Sequence, residues 1–111
     1  MKKDNLVYLR HILDAISVIN EYTMDIKSKE FLNNRLVQDG VIRQIQIIGE
    51  ATKRLSRSFR TKHTQVPWKD IAGMRDKLVH DYMGVNIDAV WNTVEKDIPQ
   101  LKKEIEKLMH L

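Results

Sequence analysis

Residues 75–82 read Arg-Asp-Lys-Leu-Val-His-Asp-Tyr, the densest cluster of reactive side chains in the chain. Arg75 is a permanent cation whose planar fork of donors matches a phosphate. The imidazole of His80 is the type of group that gives or takes a proton near neutral pH. Tyr82 adds a phenol. These types suit work on an anion: one group to hold charge, another to move a proton.

Spacing limits how they can cooperate. On an ideal helix Arg75 and His80 stand roughly 140° apart, whereas Arg75 and Tyr82 nearly eclipse. Asp76 and His80 share a face, so Asp76 could orient the imidazole and stabilise its charged form. Three routes bring Arg75 to a His80: the arginine reaches around the helix, the helix ends near His80 with Gly84 loosening the chain beyond it, or a symmetry mate supplies a second set. Arg75 and Tyr82 share a side with Ala72 and Val79, beside the core stripe, which suits an interface. A blander reading stands next to these, since a lone helical histidine is more often packed or surface-exposed than catalytic.

Other chemistries find less support. The histidines at 11, 63, 80 and 110 are scattered, and the absence of cysteine removes thiolate ligands and thiol nucleophiles. His80-Asp81 is similar to a metal-binding pair of phosphohydrolases, but no further ligands stand out, so no metal and no cofactor are expected. Gly40, Gly49, Gly73 and Gly84 are isolated, so no phosphate-cradling loop is present, and no serine sits in a nucleophile elbow. Gly49-Glu50-Ala51 could carry a carboxylate near the core, but a helix crossing at Gly49 is favoured. Trp68 and Trp91 read as core, and Phe59, beside Arg57 and Arg60, is the better candidate for stacking on a base.

Charge is informative by position. The 111 residues carry 19 basic and 15 acidic groups. None of the acidic ones lies between Glu50 and Asp70, a gap that holds Lys53, Arg54, Arg57, Arg60, Lys62 and Lys69. The remaining chain has fewer basic than acidic residues, so the positive excess sits in one segment. Such a patch suits a phosphate backbone, although lysine and arginine also favour a helix C-terminus.

The elements that position these groups read as helical. With 42% hydrophobic and 31% charged residues the chain is no disordered tail, and four Gly, two Pro and little β-branched alternation argue against a sandwich or a barrel. No apolar run approaches the roughly 20 residues of a membrane span, and no secretory signal is visible, so a soluble, cytoplasmic chain is expected. Leu6, Leu9, Leu13, Ile16 and Ile19 place a first helix over about 4–24. A second, longer helix is expected over about 29–58, with Phe31, Arg35, Val41, Ile45, Ile48, Thr52 and Leu55 on one face and a possible break at Asn33-Asn34 or Gly40. Residues 60–67 read as a loop, with Pro67 opening a third helix to about His80 on a stripe of Ile71, Met74 and Leu78. Asn86 or Asp88 caps a fourth, which runs along Val90, Trp91, Val94, Ile98, Leu101, Ile105 and Leu108 and is kinked or restarted by Pro99. The expected architecture is all-α: an antiparallel four- to five-helix bundle, one domain over 1–111, with surplus apolar arc that a dimer would bury.

Arg75-x4-His80-x-Tyr82 resembles the Arg-x4-His-x-Tyr signature of HepT-type proteins of the HEPN superfamily. Ile48-Gly49-Glu50-Ala51 resembles that family's second-helix motif, Pro67-Trp68-x-x-Ile71-x-Gly73-Met74-Arg75 the lead-in to the signature, and Val90-Trp91 with Pro99 its last helix. The match covers about residues 6–108. It implies a HEPN bundle, usually a homodimer, that acts as the toxin of a prokaryotic toxin–antitoxin pair through metal-independent RNA cleavage. Carried over, His80 is the general acid or base, Arg75 the phosphate and transition-state clamp, and Asp76 a supporting polar residue. The implied antitoxin is a minimal nucleotidyltransferase that transfers AMP from ATP to the signature tyrosine, here Tyr82. Lys53, Arg54, Arg57, Arg60 and Lys62 would guide the RNA. The alternative is a non-catalytic helical partner of a nucleotidyltransferase, its Arg/His cleft holding a nucleotide or nucleic acid.

Overall fold

The computed structural model describes residues 2–80 and 84–111, with only the backbone of His80. Two long helices form its frame, α1 (Lys3–Thr23) and α3 (Arg35–Arg54). They run antiparallel, because Tyr22 at the end of α1 lies over Gly40 near the start of α3. At the other end, Asn5 of α1 bonds Ser56 just beyond α3. A Cβ on Gly40 would stand 2.8 Å from the Tyr22 ring, so the glycine makes room for that ring against α3. The apolar stripe of α1 buries Leu9, Ile12, Ile16 and Ile19 against Val41, Ile45 and Ile48 of α3, burial worth roughly 1.5–3 kcal/mol per large side chain.

The expected second helix is three. A short α2 (Ser28–Leu32) ends at Asn33, whose backbone N–H turns back to Glu30 and Phe31. The side chain of Asn34 then accepts from the Val37 N–H and caps α3. The break at Asn33-Asn34 is therefore real. Arg35 does not join the buried face; it is exposed and reaches Asp39 across one turn. At the far end, Ser56 accepts from Phe59 N–H and starts α4 (Arg57–Lys62). The chain expected to be loop from residue 60 is thus helical as far as Lys62.

The third expected helix is also divided. Pro67 precedes α5 (Trp68–Ala72), Gly73 interrupts, and α6 (Met74–Leu78) follows. The helix does not continue to His80. Val79 turns extended, and Val79-His80 (β1) pairs antiparallel with Gly84-Val85 (β2), Val79 opposite Val85 and His80 opposite Gly84. Gly84 takes φ +79°, a backbone state that glycine tolerates without strain. The side chain of Asn86 caps α7 (Ile87–Asn92) by accepting from Ala89 N–H. A π-helical turn (Thr93–Asp97) follows and leads into α8 (Ile98–Leu108). Pro99 explains the wide turn: it has no N–H to give Glu95, and its ring would clash with that carbonyl. The apolar face expected along this last segment is buried, with Trp91 half-buried against Phe31. The result is an all-α bundle that carries, among the described residues, one two-stranded antiparallel pair. None of its helices, among the described residues, is long and apolar enough to cross a membrane.

Candidate active site

The site begins at a helix crossing. Gly49 on α3 faces the α5–α6 corner, where an added Cβ would sit 2.9 Å from the Ala72 carbonyl oxygen. Only glycine allows this approach, so the helix-crossing reading of Gly49 holds. The crossing sets the next turn of the chain, Arg75 and Asp76, beside Gln46, Glu50 and Lys53 of α3. Together these side chains line a polar concavity of about 210 Å³.

Arg75 is partly sheltered, its side chain 37% exposed. Its Nη1 lies 3.5 Å from Asp76 Oδ1, a long contact to an exposed carboxylate and therefore a weak one. Its Nε is buried and has no hydrogen-bond partner among the described residues. An anion in the concavity would meet the partly exposed guanidinium. On α3, Gln46 Nε2 donates to Glu50 Oε1 at 3.3 Å. Gln46, Glu50 and Lys53 recur at four and three residues, the spacing of one helix face. That polar stripe was the signal for Gln46 and Glu50, which the spacing of reactive residues alone left outside the site.

The structure brings Arg75, Asp76 and Lys53 together. It removes the helical pairing of Asp76 with His80, because α6 ends at Leu78. Of the routes to His80, the early helix end matches the backbone, since His80 lies in β1 two residues beyond α6. The orientation of its imidazole, and all of Tyr82, fall outside the described residues. Arg54 closes α3 and is exposed, as are Arg57 and Lys62 on α4. Arg60 is half-buried, and its Nε has no partner among the described residues. These four do not line the concavity; they continue from Lys53 along the next helix. Phe59 is no stacking platform. It is buried, with its ring 4.6 Å from that of His63 and 6.0 Å from that of Trp68. Trp68 is core, as expected, and its indole N–H donates to the His63 carbonyl at 2.9 Å.

The family profile described as Ribonuclease HepT-like matches residues 12–108, nearly the whole chain. This chain belongs to the HepT-like ribonuclease family. A Thermococcus cleftensis protein named "Probable ribonuclease HepT" is 44% identical over 97% of this chain and 98% of its own length. An inferred RNase of Caldanaerobacter subterraneus subsp. tengcongensis is 43% identical over 92% of this chain and 91% of its own. A Methanocaldococcus jannaschii protein, whose name joins a gamma-glutamylcyclotransferase to an inferred RNase, is 50% identical over 98% of this chain, which spans 49% of that relative. No solved structure matches. The HepT-like profile runs through both walls of the concavity and the segment that carries the signature residues.

Proposed function

We propose that this HepT-like chain is a metal-independent endoribonuclease and the toxin of a prokaryotic toxin–antitoxin pair. The observation that carries the reading is the placement of Arg75. The family's signature arginine stands half-sheltered in a polar concavity, one buried donor unmet among the described residues, in a chain whose relatives are named as ribonucleases.

The chemistry needs only these residue types. The ribose 2′-oxygen attacks the adjacent phosphorus and forms the new P–O bond as the bond to the 5′-oxygen breaks. One proton leaves the 2′-hydroxyl and one reaches the departing 5′-oxygen, which leaves a 2′,3′-cyclic phosphate and a 5′-hydroxyl. His80 serves as the general acid or base of these transfers. Arg75 holds the phosphate and neutralises charge that builds on its oxygens. Asp76, beside Arg75 in the concavity, is the supporting polar residue. Lys53 extends the positive surface out of the concavity toward Arg54, Arg57, Arg60 and Lys62, a track for the RNA backbone.

In this reading the protein works as a homodimer and its antitoxin is a minimal nucleotidyltransferase. The Tyr82 phenol oxygen attacks the α-phosphorus of ATP, takes AMP, and releases pyrophosphate. Tyr82 is two residues past His80 in sequence. A nucleotide on its phenol adds bulk and negative charge near the signature residues, which repels an incoming phosphate.

The test uses protein whose intact mass shows no added AMP, incubated with total RNA in EDTA beside His80→Ala. Wild type alone is expected to produce new ends that carry cyclic phosphate and 5′-hydroxyl. Equal cleavage by His80→Ala overturns the role of His80. No cleavage by folded, unmodified protein favours the non-catalytic nucleotidyltransferase partner instead.

A further inference from the structure

Another concavity among the described residues lies on the other side of α6. Met74 and Lys77, which flank Arg75 and Asp76 along that helix, face it with Leu78. It measures about 340 Å³, the lower end of the range for ligand-holding clefts. Its floor is apolar: Val66, Ile71, Leu78 and Leu101, all nearly buried. Its shape follows from the packing. The α5–α6 corner packs on α3 and α8 on α1 and the π turn, and the groove lies between them. The π turn contributes Thr93 and Asp97 to the lining; such turns re-aim side chains and are frequent at functional sites.

The rim bears charge of the opposite sign to the basic segment. Asp70, Asp97 and Glu104 stand on it with one cation, Lys77, which Asp70 engages at 3.6 Å. Asp97 has no ion-pair partner among the described residues, and Glu104 accepts only a neutral amide, from Gln100 at 3.0 Å. A net-positive chain of +4 thus keeps an acidic, apolar-floored groove. RNA is repelled from such a surface. The lining on α8 and the π turn (Thr93, Asp97, Leu101, Glu104) repeats every three to four residues, which makes a groove along a helix face.

We propose that this groove binds a basic amphipathic helix of a partner protein. Leucine- or methionine-like side chains at helical spacing seat on Ile71, Leu78 and Leu101, and flanking lysine or arginine meets Asp97 and Glu104. Charge complementarity selects this occupant over nucleic acid. A second copy of this chain is a separate outcome of the test. Because the groove and the Arg75 concavity share α6, an occupant there braces the helix that carries Arg75.

The probe is a labelled synthetic helix of about sixteen residues with leucine at i, i+3, i+4 and i+7 and lysine on its flanks. Its twin carries glutamate for lysine. Binding is read by fluorescence anisotropy and by methyl shifts of Ile71, Leu78 and Leu101 in the full chain. The lysine helix is expected to bind saturably and move these methyls, and the glutamate helix to leave them unmoved. Asp97→Lys with Glu104→Lys, both on the groove's polar rim, is expected to weaken the lysine helix at least tenfold while the chain stays folded. No saturable binding, equal effects of both helices, or equal affinity for the charge-reversed variant overturns the proposal. So does loss of self-association in that variant, which gives the groove to a second copy.

Discussion

Asn5 shows how much one side chain can set in this protein. It is buried at the start of α1, where its carbonyl accepts from Ser56 N–H at 2.9 Å and its amide donates to Ser56 Oγ at 3.2 Å. The same Ser56 oxygen caps α4. The corner between α3 and the basic helix α4 is thus tied to a residue 51 positions earlier. Asn5→Ala leaves the Ser56 N–H short of a partner in a partly buried corner, so unfolding in urea is expected to show a loss of about 1–3 kcal/mol. Unchanged stability would mean that the corner is held elsewhere. Arg75 differs in kind. Its guanidinium is incompletely paired where it lies, which is a poor use of a cation for stability and a good one for anion capture.

Among elements, those set by local spacing were legible and those set by long-range bonds were not. Leu6, Leu9, Leu13, Ile16 and Ile19 announced α1, although Ile12 rather than Leu13 is fully buried; Asn33-Asn34 announced a break, Asn86 a cap, and Pro99 an irregularity in the last helix. The end of α6 was legible only as one of three open routes, because it rests on a distant bond: the Leu78 carbonyl accepts from Asn86 N–H at 2.9 Å across the β1–β2 pair. The start of α4 is a local cap at Ser56 that the long helix expected over about 29–58 ran through, and only its tie to Asn5 is long-range. For the site, Arg75 and Asp76 were legible as chemistry, but Gln46 and Glu50 needed the α3–α6 crossing to join them. That crossing is open to test at Gly49. Gly49→Val puts branched carbon against the Ala72 carbonyl, already only 2.9 Å from an ideal Cβ. The backbone there cannot yield as a side-chain tip would, and overpacking is expected to cost about 1–3 kcal/mol. RNA cleavage is expected to fall further than in Asn5→Ala, because the shift moves Arg75 itself, and misplacement of about 1 Å can cost roughly a hundredfold in rate. Equal cleavage by both variants at matched folded fraction would detach the crossing from the site.

At the scale of the whole molecule, charge is segregated around α6. Toward α3, Arg75 and Lys53 share the concavity with Glu50 and Asp76, and the net positive charge comes from the side chains of α4 beyond them. Toward α8 lie Asp70, Asp97 and Glu104. An RNA strand that enters the Arg75 concavity is drawn from one side and turned away from the other, so the basic segment should act as a track and give most of the salt dependence. Each phosphate contact on a single strand contributes roughly −0.7 to the slope of log K against log salt. His80→Ala, which keeps the RNA intact under the proposed chemistry, is the background for the measurement. Adding Lys53→Gln and Arg57→Gln removes two exposed cations without touching the core. The slope is expected to become shallower by about 1.4, with affinity falling most at low salt. A uniform loss of affinity with the slope unchanged would mean that these two side chains affect binding without tracking the backbone, and an unchanged affinity would place the RNA path away from α4.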